Sequence, residues 1–243
     1  MVKSADRTLQ ILETFAAAGE PLGIAELARR LAIPVSACYA LLRTLEVRGY
    51  LYELGLRKGW YPTLRWLQKA REVAAHDPML ERVTPILEAL GKATGETIVF
   101  GKRSGVEVVY LNVIESPHSI RYSAQAGDRK PLHSSSAGKA ILGALPPAGR
   151  AKLLDTLKLA RVTPSTIVRR ELLEKDLEAG AKRGWYATRG ENVADVHALG
   201  APVRIDGELY AVVVAGPAHR IEAALKAHAA ALQRTARALE GGR

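Results

Sequence analysis

Ile24-Ala25-Glu26-Leu27-Ala28-Arg29-Arg30-Leu31, Ala32-Ile33-Pro34 and Val35-Ser36-Ala37-Cys38-Tyr39-Ala40-Leu41-Leu42-Arg43-Thr44-Leu45-Glu46-Val47-Arg48 read as a short helix, a tight turn and a longer helix. In the first segment Ile24, Leu27, Ala28 and Leu31 fall at i, i+3, i+4 and i+7; in the last, Cys38, Leu41, Leu42 and Leu45 do the same. That spacing puts each set on one helical face. At about 100° per residue the opposite stripe of the longer helix is Ser36, Ala40, Arg43 and Val47. Gly49 ends the helix. Tyr50-Leu51-Tyr52 and Trp60-Tyr61 then flank a Gly55-Leu56-Arg57-Lys58-Gly59 tip, the pattern of a two-stranded wing with a basic end. Upstream, Ser4 is expected to cap a first helix with Leu9, Leu12 and Phe15 on one face, broken by Gly19-Glu20-Pro21-Leu22-Gly23. Three helices and a basic hairpin predict a winged helix-turn-helix, in which the third helix enters the DNA major groove. Arg57 and Lys58 at the tip are then candidates for phosphate contact.

A further helix is predicted from about Thr63 to Ala75, with Leu64, Leu67, Ala70 and Ala74 apolar. Asp77-Pro78 marks a stop and a restart, because Asp caps a helix and Pro fits its first position. The chain is therefore divided into residues 1–75, a DNA-binding domain with a linker helix, and residues 76–243. The second part opens with a helix burying Leu80, Val83, Leu87 and Leu90, with Pro85 inside it. Beyond Gly95 the period changes to that of strands. Thr97–Phe100 and Val106–Leu111 form a hairpin about Arg103-Ser104-Gly105, and Ile120–Ser123 is read as a third strand. Helices are expected at about 136–145, 147–157 and 170–183. Strands follow at 185–188, 199–204 and along Leu209-Tyr210-Ala211-Val212-Val213-Val214-Ala215, and an Ala-rich helix closes the chain. This order predicts an α+β domain with a mainly antiparallel sheet flanked by helices.

The net charge of +10 favours an anionic partner. Its distribution discriminates little, since residues 1–75 carry eleven Lys/Arg against seven Asp/Glu and the rest twenty-four against eighteen. No uncharged apolar run is long enough to span a bilayer, and the first residues are charged, so a cytoplasmic protein without membrane contact is expected. The single Cys38 excludes an internal disulfide and a cysteine metal cluster. It lies on the buried stripe. The six histidines show no close metal spacing, and neither metal nor cofactor is expected. Ser136-Ala137-Gly138-Lys139 matches the Ser-x-x-Lys of penicillin-recognising enzymes, but no Ser-Asp-Asn or Lys-Thr-Gly partner occurs. A phosphate-binding loop also fails: His133 stands where its first glycine belongs, and Ala140 where Ser or Thr must follow the lysine.

Over nearly its whole length the chain resembles the IclR family of bacterial transcriptional regulators. The resemblance is carried by residues 24–46, by Arg48-Gly49-Tyr50-Leu51, and by Gly127 with Pro131-Leu132-His133-Ser134-Ser135-Ser136-Ala137-Gly138-Lys139-Ala140. Gly184, Glu191, Ala198-Leu199-Gly200-Ala201-Pro202-Val203 and Ala215-Gly216-Pro217 then follow in the family's order. It implies a GAF-like effector-binding domain, homodimers or tetramers, binding to double-stranded DNA, and control by a small carboxylate or aromatic effector. The DNA-contacting positions it implies are Ser36, Ala37, Tyr39, Ala40, Arg43 and Thr44, with Arg57 and Lys58 of the wing. Where the family usually has Lys-Ser-Thr and a DNA-facing Arg, this chain has Val35-Ser36-Ala37 and Ala40. An alanine can touch a thymine methyl but cannot read guanine, so more affinity is expected from phosphates, the wing and DNA shape.

Family pocket positions that often carry Asp, Cys and two Ser align with Thr188, Ala198, Val213 and Ala215. One hydroxyl and three alkyl groups make a drier pocket. The expected ligand is an organic acid with an apolar or aromatic body, its anionic end at the helix start Ser135-Ser136-Ala137. Two rival readings are a small-molecule sensor or oligomerising adaptor with little specific DNA binding, and a hydrolase using Ser136 and Lys139.

Overall fold

The computed structural model describes residues 2–55, 59–74 and 76–241. The chain divides into two compact units, Met1–Asp77 and Pro78–Arg243.

In the first unit, α1 (Lys3–Ala18), α2 (Ile24–Arg30) and α3 (Val35–Val47) precede a hairpin of β1 (Leu51–Glu53) and β2 (Trp60–Pro62), and α4 (Arg65–Ala74) follows. Ile11, Phe15, Leu27, Cys38, Leu42 and Leu45 meet Leu51 and Trp60 in one core. Between α2 and α3 the chain turns at Ala32, whose φ of 51° is left-handed. Two bonds hold that turn: Ile33 N donates to Ala28 O (3.1 Å), and Arg7 Nη1 donates to the Leu31 carbonyl (2.7 Å). In the hairpin Tyr52 pairs with Tyr61, and Leu22 exchanges backbone bonds with Trp60 as a third, one-residue strand. Gly59 (φ 88°) permits that approach, because a Cβ there would overlap the Leu22 backbone. Thr63 Oγ1 accepts from Arg65 N at the start of α4 and donates to Gly49 O.

The first unit corrects two expectations. α1 starts at Lys3 with Val2 as its cap residue and no side-chain cap, while Ser4 lies inside the helix and its carbonyl accepts from Thr8 Oγ1. Its buried face is Ile11 and Phe15; Leu9 is exposed and Leu12 half-buried. α4 buries none of its residues, and Leu64 and Leu67 are exposed.

The second unit is a six-stranded antiparallel sheet between two helical layers. Along the chain come α5 (Pro78–Thr94), β3 (Thr97–Ser104), β4 (Glu107–Ile114), β5 (Arg129–Pro131), α6 (Ser136–Ala144), α7 (Pro147–Thr156) and α8 (Arg170–Arg183). Then follow β6 (Tyr186–Arg189), β7 (Val196–Ile205), β8 (Glu208–Pro217), α9 (Ala218–Ala223) and α10 (Leu225–Gly241). The strand order is β5-β4-β3-β8-β7-β6. Alternation along β8 decides the layers. Val212 and Val214 pack against α5, α9 and α10, whereas Ala211, Val213 and Ala215 face α6, α7 and α8. Buried on both faces, the strand reads as a continuous apolar run.

Ile120–Ser123 is not a strand. The backbone of this loop is taken up by a side chain: Thr97 Oγ1 donates to Tyr122 O (2.6 Å) and accepts from Ser116 N (3.3 Å). The strand beside β4 is β5 instead, with Glu107 opposite Pro131.

Candidate functional site

Two places carry chemistry. The first is the outer face of α3. Burial of Cys38, Leu42 and Leu45 turns Ser36, Ala37, Tyr39, Ala40, Arg43 and Thr44 outward, and all six are exposed. Thr44 turns its hydroxyl back to the Ala40 carbonyl (2.8 Å). Arg43 pairs with Glu46 one turn along, both of them partly exposed. On α2, Arg29 and Arg30 donate to Glu26 and hold its carboxyl down at about 2. Arg57 and Lys58 lie outside the described residues.

The second place is a small cavity of about 30 Å³ between the sheet and the start of α6. Its lining brings together Ser135, Ser136, Thr188, Ala198, Val213 and Ala215. The ladder explains the floor: Thr188 on β6 pairs with Ala198 on β7, which pairs with Ala215 on β8. Ala137 is absent from the lining, because the helix turns its methyl into the core among Ala140, Ile141 and the β8 residues.

Backbone packing fixes the roof. The Ser135 hydroxyl accepts from Gly138 N (3.1 Å) and donates to Pro131 O (2.7 Å), capping α6. A Cβ on Gly138 would overlap the Leu132 backbone, and one on Gly200 would overlap the Ser136 carbonyl. Glycine at both positions lets the helix start lie directly on β7. The first backbone bond of α6 is Lys139 N to Ser135 O, which leaves the Ser136 and Ala137 N–H groups without helical acceptors. Ser135 has no hydroxyl capacity left over as a donor. Ser136 and Thr188, 3% and 5% exposed, make no side-chain hydrogen bond among the described residues. Two unpartnered hydroxyls thus face one small cavity.

Behind the roof lies Lys139, fully buried. Its ammonium donates to Asp176 (2.7 Å), Glu191 (2.7 Å) and the Ala187 carbonyl (3.3 Å), so each of its three protons has an acceptor. Burial pushes the Glu191 carboxyl above its usual range while Lys139 pulls it back. Five lining residues escaped the sequence reading: Tyr110, Tyr122, Asn192, Val193 and Val196. For Tyr110 the signal was present, since counting back from the hairpin turn sets it opposite Gly101. Tyr122 gave none, because only a tertiary bond to Thr97 fixes its loop. Among the described residues no cluster of His, Cys, Asp and Glu could hold a metal, and no helix is long and apolar enough to cross a membrane.

Two family models together match most of the chain. The model of the IclR helix-turn-helix domain matches residues 4–55, and that of the bacterial transcriptional regulator IclR C-terminal domain matches residues 71–240. The HTH-type transcriptional regulator BhcR of Paracoccus denitrificans is 30% identical over 244 residues, covering 99% of this chain and 87% of that one. The IclR structure from Thermotoga maritima has a TM-score of 0.77 at 23% identity, covering 99% of this chain and all of that one. An IclR homologue from Microbacterium hydrocarbonoxydans, complexed with 4-hydroxybenzoate, has a TM-score of 0.73 at 23% identity, over 97% and 99% of the two chains. A winged helix-turn-helix followed by a sandwiched antiparallel sheet, matched over residues 4–55 and 71–240 by the two domain models, settles the kinship: the chain belongs to the IclR family of bacterial transcriptional regulators.

Proposed function

We propose that this regulator docks the outer face of α3 in the major groove of double-stranded DNA and is controlled by an organic acid with an apolar or aromatic body. The observation that carries the effector reading is the pair of hydroxyls, Ser136 and Thr188, buried without partners beside the free N–H groups of a helix start. Such a corner favours a carboxylate through charge-assisted hydrogen bonds and the helix dipole. Ala198, Val213 and Ala215 offer the remainder of the ligand only alkyl surface. The Microbacterium homologue is complexed with 4-hydroxybenzoate, so a protein of this fold holds an acid of that class. Control requires that the acid bind one arrangement of the DNA heads better than another, typically by about 1–3 kcal/mol. Exposure of Leu67 on α4 and of Leu64 just before it supports assembly as a homodimer or tetramer.

The surroundings of Lys139 speak against the hydrolase reading. With Asp176, Glu191 and a carbonyl on its three protons, the Lys139 ammonium has no free lone pair to take a proton from Ser136. The adaptor reading is separated by DNA binding itself.

Titration calorimetry of the full chain with benzoate and with glyoxylate tests the effector. Benzoate is expected to bind, and Thr188→Val or Ser136→Ala to weaken it by about 1–3 kcal/mol each. Tight binding of glyoxylate with none of benzoate overturns the apolar-body reading.

A further inference from the structure

The cavity lining carries a second pair of hydroxyls, on Tyr110 and Tyr122. Tyr110 and Tyr122, 5% and 9% exposed, both line it, and their hydroxyls lie 3.4 Å apart. Neither hydroxyl has another hydrogen bond among the described residues. At that separation they make at best a long bond, since O–H···O contacts prefer about 2.7–2.8 Å. One ligand oxygen bridging both would satisfy them better.

Their place follows from the ladder. Ser136 sits over Gly200 on β7, whereas Tyr122 is tied to Thr97 on β3 and Tyr110 stands on β4 opposite Gly101. From β7 through β8 to β3 is two strand spacings, about 10 Å. Ala215 and Val213 on β8 form the apolar floor between the two ends. The charge differs from end to end as well. Free N–H groups attract an anion at α6, while burial, ahead of any neighbouring charge, pushes the Tyr110 phenol well above its ordinary range and disfavours negative charge there.

We infer that Tyr110 and Tyr122 form a subsite for a neutral hydrogen-bonding group, a hydroxyl, keto or amide, at the end of the effector opposite its carboxylate. This rests on the effector reading above and narrows it to acids with one charged and one uncharged polar end. A dicarboxylate of the same length is disfavoured, because its second charge meets buried phenols and the cavity lining offers it no cation.

The test is titration calorimetry of the full chain with benzoate, 4-hydroxybenzoate and terephthalate. The hydroxy acid is expected to bind up to about tenfold more tightly than benzoate, the size of one net hydrogen bond, and terephthalate more weakly than the hydroxy acid. Tyr110→Phe with Tyr122→Phe is expected to erase that preference; should the double variant not fold, Tyr122→Phe alone and the wild-type ratios decide. Equal affinities for benzoate and the hydroxy acid, a preference that survives loss of both hydroxyls, or terephthalate binding best would each overturn the subsite and leave the effector reading standing. Failure of all three acids to bind overturns both.

Discussion

Lys139 and Glu191, 52 residues apart in sequence, meet at 2.7 Å in the interior of the second unit. The bond joins the roof helix α6 to the segment whose next two residues, Asn192 and Val193, wall the cavity. Further bonds hold the same segment: Thr166 Oγ1 donates to Glu191 O (2.7 Å), and Asn192 Nδ2 to Ser134 Oγ (3.3 Å). A buried ion pair adds little net stability against a greasy replacement, yet removing one partner leaves a charge stranded. Lys139→Ala is expected to cost about 3–5 kcal/mol in urea unfolding. A loss below about 1 kcal/mol would show that the carboxylates relax into water and that the segment does not depend on them.

Gly200 makes a sharper test of the roof. Its missing Cβ is what admits the Ser136 carbonyl, and the obstruction is backbone, which cannot rotate aside. Gly200→Ala is predicted to cost about 1–3 kcal/mol of stability and to abolish benzoate binding, because the helix start must lift off β7. Retention of full affinity would mean that the ligand does not touch α6.

On α3 the one cation of the outward stripe is held by a carboxylate of its own helix. Exposed pairs of this kind are worth little, so DNA can exchange Glu46 for a guanine or a phosphate at small cost. Arg43→Ala is expected to weaken specific binding by about 1–3 kcal/mol and to relax selection at one base pair. Glu46→Gln is expected to tighten it modestly. Fluorescence anisotropy with singly substituted duplexes reads both, and an unchanged base preference in the Arg43 variant would remove that residue from the groove.

Two buried histidines set a pH dependence. His133, 2% exposed with Nε2 2.9 Å from the Ala160 carbonyl, and His228, 6% exposed, are both pushed below their ordinary value of 6.5, chiefly by burial. The unfolded chain therefore binds protons more readily than the folded one. Their contribution is complete above about pH 6.5 and is lost as the pH falls through 6.5 towards the folded values. Thermal midpoints are expected to drop between about pH 7.5 and 5.5, with a shallower slope in His133→Asn. A midpoint that rises on acidification would reverse the sign.

Much of this was legible before the structure. Cys38, Leu42 and Leu45 on a single face announced α3, and the Pro131–Ala140 motif announced the start of a helix. What escaped depended on tertiary partners. Ile120–Ser123 has the composition of a strand, but Thr97 takes the backbone bond a neighbouring strand would have taken. Leu9 is apolar yet outward, since Ile11 and Phe15 already fill the contact with α2 and the wing. The cavity looked drier from four aligned positions than it is, because Tyr110, Tyr122 and Asn192 enter it from β4, a loop and the turn after β6.

The central claim is that the outward face of α3 lies on a duplex. Its most direct measurement is specific binding to DNA from around the protein's own gene as salt is raised. If roughly 6–10 phosphates are neutralised, affinity should fall about 10³–10⁵-fold between about 50 and 200 mM, linearly on logarithmic axes. No complex with any segment of that locus in dilute buffer, or a complex indifferent to salt, would contradict it.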